Sequence, residues 1–276
     1  MSYKTIVVHV DSSRHAEARM RHAARLAALF DSHLVGSAFS GVSRYAGREA
    51  ARDLAMLAPH EIDAIGRRND AALAQFDAIA ASEGVGSVER RLMDDDPAGG
   101  LALQARYADL LVVSQTDLDE PASAYLIGGL PEQVVLDGGR PVLVLPYAGT
   151  FPHIGGMALV AWDGGLEATR AVYNALPLLR SAALVTILVF NPAAAAGHEP
   201  GADLALYLSR HGIGCTVAAS PTPIRAGEQL LSAAADLQAD LIVMGAYGHS
   251  RFREVMLGGV TETILASMTA PILMSH

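Results

Sequence analysis

Apolar residues along the chain fall into two kinds of stretch. Short continuous runs, such as "TIVVHV" from Thr5, "LVTILVF" from Leu184 and "DLIVMG" from Asp240, lack the alternation of a half-exposed strand. They read as strands buried on both faces, the signature of a parallel sheet covered by helices on both sides. Between them lie longer stretches with helical spacing, as at Ala16, Met20, Ala23, Ala24 and Ala27. Over the first half the pattern predicts strands at 5–10, 33–39, 87–93, 109–114 and 141–145, with helices near 14–30, 61–82, 98–107 and 130–137. Over the second half it predicts strands at 157–162, 184–190, 214–219, 240–244 and 271–274, with helices near 166–180, 202–211, 226–238 and 259–268. Strand and helix alternate throughout, so the fold class is α/β, and the connections between parallel strands should be right-handed crossovers.

The same pattern is written twice. "DLLVVSQ" from Asp109 matches "DLIVMGA" from Asp240, "GGLPEQVV" from Gly128 matches "GGVTETIL" from Gly258, and "RPVLVLP" from Arg140 matches "APILMSH" from Ala270, at offsets of 131, 130 and 130. "IVVHVDSS" matches "ALVAWDGG" and sets Asp11 against Asp163 at an offset of 152. Four matches in one order make a duplication. The drop in offset places an insertion in the first copy, near 41–60. Two tandem doubly wound domains follow, 1–148 and 155–276, with "YAGTFPHIGG" from Tyr147 as the linker between them.

Composition narrows the class. Hydrophobic residues make up 51% of the 276 and charged residues 18%, enough for packed cores. No apolar run approaches the roughly 18–20 residues of a membrane helix. The N-terminus does not read as a signal peptide, and Cys215 is the one cysteine, so no internal disulfide is expected. A cytoplasmic protein fits these features. Net charge is −9, with 14 basic against 20 acidic residues up to Thr150 and 6 against 9 after it, so neither half resembles a general nucleic-acid surface.

Candidate chemistry gathers where strands end, because open doubly wound sheets bind ligands beyond their carboxyl edges. "GAYGHSRFREVMLGGVTE" follows the fourth strand of the second copy. Gly245 and Gly248 permit close backbone approach. Gly258 and Gly259 open the last helix, whose first N–H groups and dipole suit a phosphate chain. The same glycines equally suit two structural turns, and Asp163 equally suits the cap of the helix after it. Arg251, Arg253 and His249 read as loop residues. Ser12 and Ser13 read as turn or cap residues, and Asp94, Asp95 and Asp96 as a turn before a helix N-terminus. No GxxxxGK[ST], GxSxG, HExxH or CxxC motif is present.

The order of "DLIVMG", Gly245-x2-Gly248-x9-Gly258 and a Pro-led apolar last strand resembles the universal stress protein family. With the duplication, the whole chain resembles that family's tandem form. The resemblance implies a five-stranded, mainly parallel sheet in each copy, Rossmann-like and adenine nucleotide alpha hydrolase-like, and often ATP as ligand. It would put Asp163 and the backbone near Val189 at the adenine, Gly245 near the ribose, and Gly248, Gly258, Gly259 and Val260 at the phosphates, with Mg2+ accompanying a triphosphate. It implies pairing of the last strands, "PVLVLP" with "PILMSH", as an internal pseudo-dimer, and leaves a further homodimer open.

Two departures from the family pattern matter. Gly259 stands where the family has Ser or Thr, which removes one phosphate contact worth about 0.5–1.5 kcal/mol; Thr261 is the candidate substitute. In the first copy "SQTDLDEPASAYLIGG" puts Ser114 and Asp117 in place of the first two glycines, so that copy is not expected to bind ATP. The leading expectation is a stress-response regulator with one adenine-nucleotide site in the C-terminal copy and little or no turnover. The alternatives are an interaction protein with a purely structural glycine loop, and a slow ATPase using Asp163 or His249.

Overall fold

The computed structural model describes residues 2–41, 59–120, 129–190, 201–220, 226–248 and 259–276. Most of the expected insertion near 41–60 lies outside them, as do Gly258, His249, Arg251 and Arg253. By internal contacts the chain divides into two compact units, Ser2–Arg140 and Pro141–His276.

The first unit runs β1 (Thr5–His9), α1 (Ala16–Phe30), β2 (His33–Phe39), α2 (Pro59–Ser82), β3 (Ser87–Met93), α3 (Pro97–Ala105), β4 (Leu110–Ser114) and α4 (Leu130–Gly138). Its strands lie in the order β3-β2-β1-β4 and are all parallel. Helices pack on one another in two groups, α1 with α2 and α3 with α4. β1 and β4 are buried along nearly their whole length, as their unbroken apolar runs require. The edge strand β3 alternates between exposed and half-buried positions instead. Asp96 caps α3 by accepting the N–H of Gly99 at 2.8 Å, with Pro97 in the first turn.

The second unit runs β5 (Val142–Leu145), β6 (Met157–Ala161), α5 (Leu166–Ser181), β7 (Leu184–Phe190), α6 (Ala202–Arg210), β8 (Cys215–Ser220), α7 (Ala226–Asp236), β9 (Leu241–Gly245), α8 (Gly259–Ser267) and β10 (Ile272–Ser275). Its order is β5-β10-β9-β6-β7-β8, parallel except for β5. β5 is the last strand of the first repeat. It groups with the second unit because it pairs antiparallel with β10, Val144 opposite Ile272 and Val142 opposite Met274. Among the described residues no helix is long and apolar enough to cross a membrane.

One carboxylate fixes the start of the central strand in each unit. Asp109 accepts the N–H groups of Lys4 and Thr5 at 2.7 and 3.0 Å. Its repeat partner Asp240 accepts those of Gly155, Gly156 and Met157 at 2.9–3.1 Å. The strand order reverses at these central strands, since β1 pairs with β2 and β4, and β6 with β7 and β9. In open α/β sheets a reversal of this kind marks where a ligand crevice forms, at the carboxyl end of the central strand.

Two glycines have opposite packing. A methyl group on Gly36 would lie 2.6 Å from the ring of the fully buried Phe76, so α2 lies flat on β2 only because that position has no side chain. A methyl group on Gly66, within α2, meets nothing within 4 Å. We expect Gly36→Ala to lower unfolding free energy by about 1–3 kcal/mol. Gly66→Ala should raise it by about 0.5–1 kcal/mol. Urea unfolding of both variants checks the pair, and equal effects would contradict this packing.

Candidate functional site

In the second unit the crevice lies beyond the ends of β6 and β9. Past β6, Asp163 stands exposed in a turn and accepts the N–H of Gly165 at 2.8 Å, with Gly164 at φ +75° between them. Gly165 caps α5. β7 outruns its neighbour: the last β6 pair is Ala161 with Leu188, so Val189 and Phe190 continue past β6 toward the crevice.

Gly245 ends β9 and meets the first turn of α5. A Cβ there would lie 2.5 Å from the Ala168 nitrogen and 2.7 Å from the Glu167 carbonyl carbon. A Cβ on Gly248 would lie 3.0 Å from Glu167 Oε2. Both glycines of the motif thus accommodate Glu167, one its backbone and the other its carboxylate. Between them Tyr247 takes a left-handed conformation at φ 54°. Its N–H donates to the buried Thr261 hydroxyl at 3.2 Å, which ties the glycine turn to the start of α8. The Thr261 hydroxyl thereby serves the loop. Gly259 and Val260 form the first turn of α8, with Val260 exposed.

Asp163, Gly245 and Gly248 are therefore gathered around the start of α5, Gly259 and Val260 join them through Thr261, and Val189 lies two strands over from β9. Gly258 lies outside the described residues. Glu167 was missed at the sequence level. Its position four residues after the strand-terminal Asp163 gave a signal only once its contact with both glycines was known.

The first unit has the same frame with a different filling. Asp11 accepts the N–H of Ser13 at 3.0 Å, repeating the Asp163–Gly165 turn. Arg19, only 2% exposed, reaches across the crevice, donating to the His9 carbonyl at 2.7 Å, to Asp11 at 2.7 Å and to the Ser114 hydroxyl at 2.8 Å. At the repeat offsets, Ser114 matches Gly245, and Arg19 matches the buried Ala171. Asp117, which matches Gly248, is bonded by the Arg14 guanidinium and by His15 Nε2, the latter at 2.7 Å. The ligand atoms of His15, Asp117 and Glu120 lie within 4.8 Å of one another. Arg14 closes this cluster, its guanidinium pairing with Asp117 and its backbone N–H donating to Glu120.

The electrostatics follow from these contacts. Burial opposes the charge on Asp11, but Arg19 beside it, with His9 and Ser13, holds its carboxyl well below the usual range. Burial pushes the His9 imidazole down to about 4, against the pull of Asp11 and with a push from Arg19. Hydrogen bonds from His15 and Arg14, working against desolvation, bring Asp117 down to about 2.

These features define an α/β protein of the doubly wound, Rossmann-like kind, in which the strand order of each unit reverses at its central strand. The chain belongs to the universal stress protein family, whose model matches residues 2–146 and 224–276. The fold is the adenine nucleotide alpha hydrolase-like arrangement of that family. The structure of a universal stress protein from Archaeoglobus fulgidus superposes with a TM-score of 0.74 at 15% identity, covering 98% of this chain and 95% of that one. The functionally unknown protein PA1789 from Pseudomonas aeruginosa gives a TM-score of 0.60 at 17% identity, covering 99% and 92%. Universal stress protein MJ0577 from Methanocaldococcus jannaschii is 35% identical over 46 residues, 17% of this chain, and the match spans 28% of that relative's length.

Arg19→Met would leave Asp11 in the crevice without its buried partner, and we expect a loss of about 3–5 kcal/mol in unfolding free energy. His9 gives a pH dependence of definite sign. Its folded pKa lies below the unfolded value, so the neutral form is favoured in the folded state. The stability it contributes is complete above about pH 6.5 and is lost as pH falls toward about 4. A histidine-resolved NMR titration should place the His9 inflection near 4; an inflection near 6.5 would contradict this environment.

Proposed function

We propose that the second unit binds an adenine nucleotide, ATP with Mg2+, along the carboxyl edge of its sheet, that the first unit binds none, and that the protein acts as a nucleotide-dependent stress regulator with little turnover. The observation that carries this reading is the contrast between the two crevices. One is edged by Gly164, Gly165, Gly245 and Gly248; the other is filled by Arg19 and closed by the Arg14–His15–Asp117 network.

Asp163 and the backbone at Val189 would hold the base, and Gly245 would face the ribose. The N–H groups of Gly248, Gly258, Gly259 and Val260 would face the phosphates, where a helix start favours negative charge. Mg2+ would supply charge compensation for a triphosphate. The sequence from Gly245 to Gly258 holds no lysine to stabilise a transferring phosphoryl group, which supports binding over catalysis.

Calorimetric titration of the whole chain with ATP and Mg2+ tests the assignment. We expect one nucleotide per chain and, because Asp163 is exposed, a folded Asp163→Ala variant whose affinity falls at least about tenfold, as loss of a charged hydrogen bond implies. A stoichiometry of two would refute the asymmetry, and no heat with ATP, ADP or AMP would refute nucleotide binding.

A further inference from the structure

We propose that Glu167 determines which nucleotides the second unit accepts, disfavouring an uncovered polyphosphate and favouring ligands whose phosphate charge is low or is masked by a divalent cation. This rests on the nucleotide reading of the site and assigns a role to a residue outside the glycine motif. Three observations carry it.

The carboxylate is seated at the loop. Glu167 Oε2 lies so close to Gly248 that a side chain at 248 would contact it at 3.0 Å, and the backbone of Glu167 lies against Gly245. The first turn of α5 favours a carboxylate there through the helix dipole. A phosphate drawn to the backbone at Gly248 therefore meets a fixed negative charge within a few ångströms.

The same two positions face each other in the first unit with the charges arranged differently. At the repeat offsets, Glu167 matches His15 and Gly248 matches Asp117. There an anion does sit at the loop position, the Asp117 carboxylate, and it is met by His15 at 2.7 Å and by the Arg14 guanidinium. In the second unit both partners are replaced, His15 by Glu167 and Arg14 by the exposed Leu166. An anion at Gly248 is consequently opposed from the position that, in the first repeat, offers Asp117 a hydrogen bond.

Among the described residues no cation pairs with the Glu167 carboxylate. Its charge is left to act on whatever occupies the turn, moderated by solvent because the side chain is only partly buried.

The test is a set of titrations of the full chain with adenosine, AMP and ATP, each in EDTA and in Mg2+, for the wild type, Glu167→Gln and Glu167→His, with thermal melting as the folding control. In EDTA we expect Glu167→Gln to bind ATP about tenfold tighter, AMP by a smaller factor, and adenosine within about twofold, the order expected for a charge interaction. Glu167→His should bind ATP at least as tightly as Glu167→Gln. In Mg2+ the gain should shrink to about threefold or less. Equal gains for adenosine and ATP, or no gain for ATP in EDTA, would overturn the role of Glu167 while leaving nucleotide binding intact. Failure of all three folded proteins to bind any of the three ligands would overturn the nucleotide assignment and this inference together.

Discussion

Each half of the molecule is organised around a central strand tied down at one end and open at the other. At the amino end a single carboxylate, Asp109 or Asp240, gathers consecutive backbone N–H groups and fixes where β1 or β6 begins. Since neighbouring parallel strands take their register from that strand, the position of every loop at the opposite edge follows from it. The clamp is the same in both repeats, and so is the turn that leaves the strand, Asp11 with Ser13 and Asp163 with Gly165. What differs is the content of the space beyond.

That difference is a matter of charge as much as of room. The first crevice has its own cation, Arg19, which is nearly inaccessible and therefore requires the acceptors it finds in Asp11, Ser114 and a carbonyl. Removing a partner from such a set leaves a buried charge stranded, which keeps the arrangement closed. In the second crevice the matching position is Ala171, and the surfaces that meet are backbone and glycine. One repeat has become a self-contained electrostatic core, while the other keeps a polar edge turned outward.

Much of this was legible in the sequence. Continuous apolar runs such as "LVTILVF" are forced by burial on both faces, so the strands fall where the pattern placed them. The acidic run before Pro97 reads as a turn leading into a helix, and within it Asp96 caps that helix. The expected start of α1 near residue 14 lies two residues early, because Arg14 and His15 are drawn into contacts with Glu120 and Asp117, more than a hundred residues away. Arg19 sits inside the apolar stripe of α1 and aligns with an alanine in the other repeat, a signal that was available and passed over. The two uses of glycine at 245 and 248 were not legible. Spacing distinguishes a ligand cradle from a close approach to a helix only when the helix is in view. Thr261 is similar: its hydroxyl was a candidate for a phosphate, and only the fold reveals that it already holds Tyr247.

The antiparallel pairing of β5 with β10 bears on how the chain can be divided. By sequence the natural cut lies in the turn-rich stretch from Tyr147 to Gly156. A fragment beginning there would carry the whole second repeat yet leave β10 as a bare, flat, apolar edge whose backbone donors and acceptors have lost their partner. Such an edge recruits any strand within reach, including its own copies. A fragment beginning at Pro141 carries its own cover. The last strand of one repeat is, in this sense, the first structural requirement of the next.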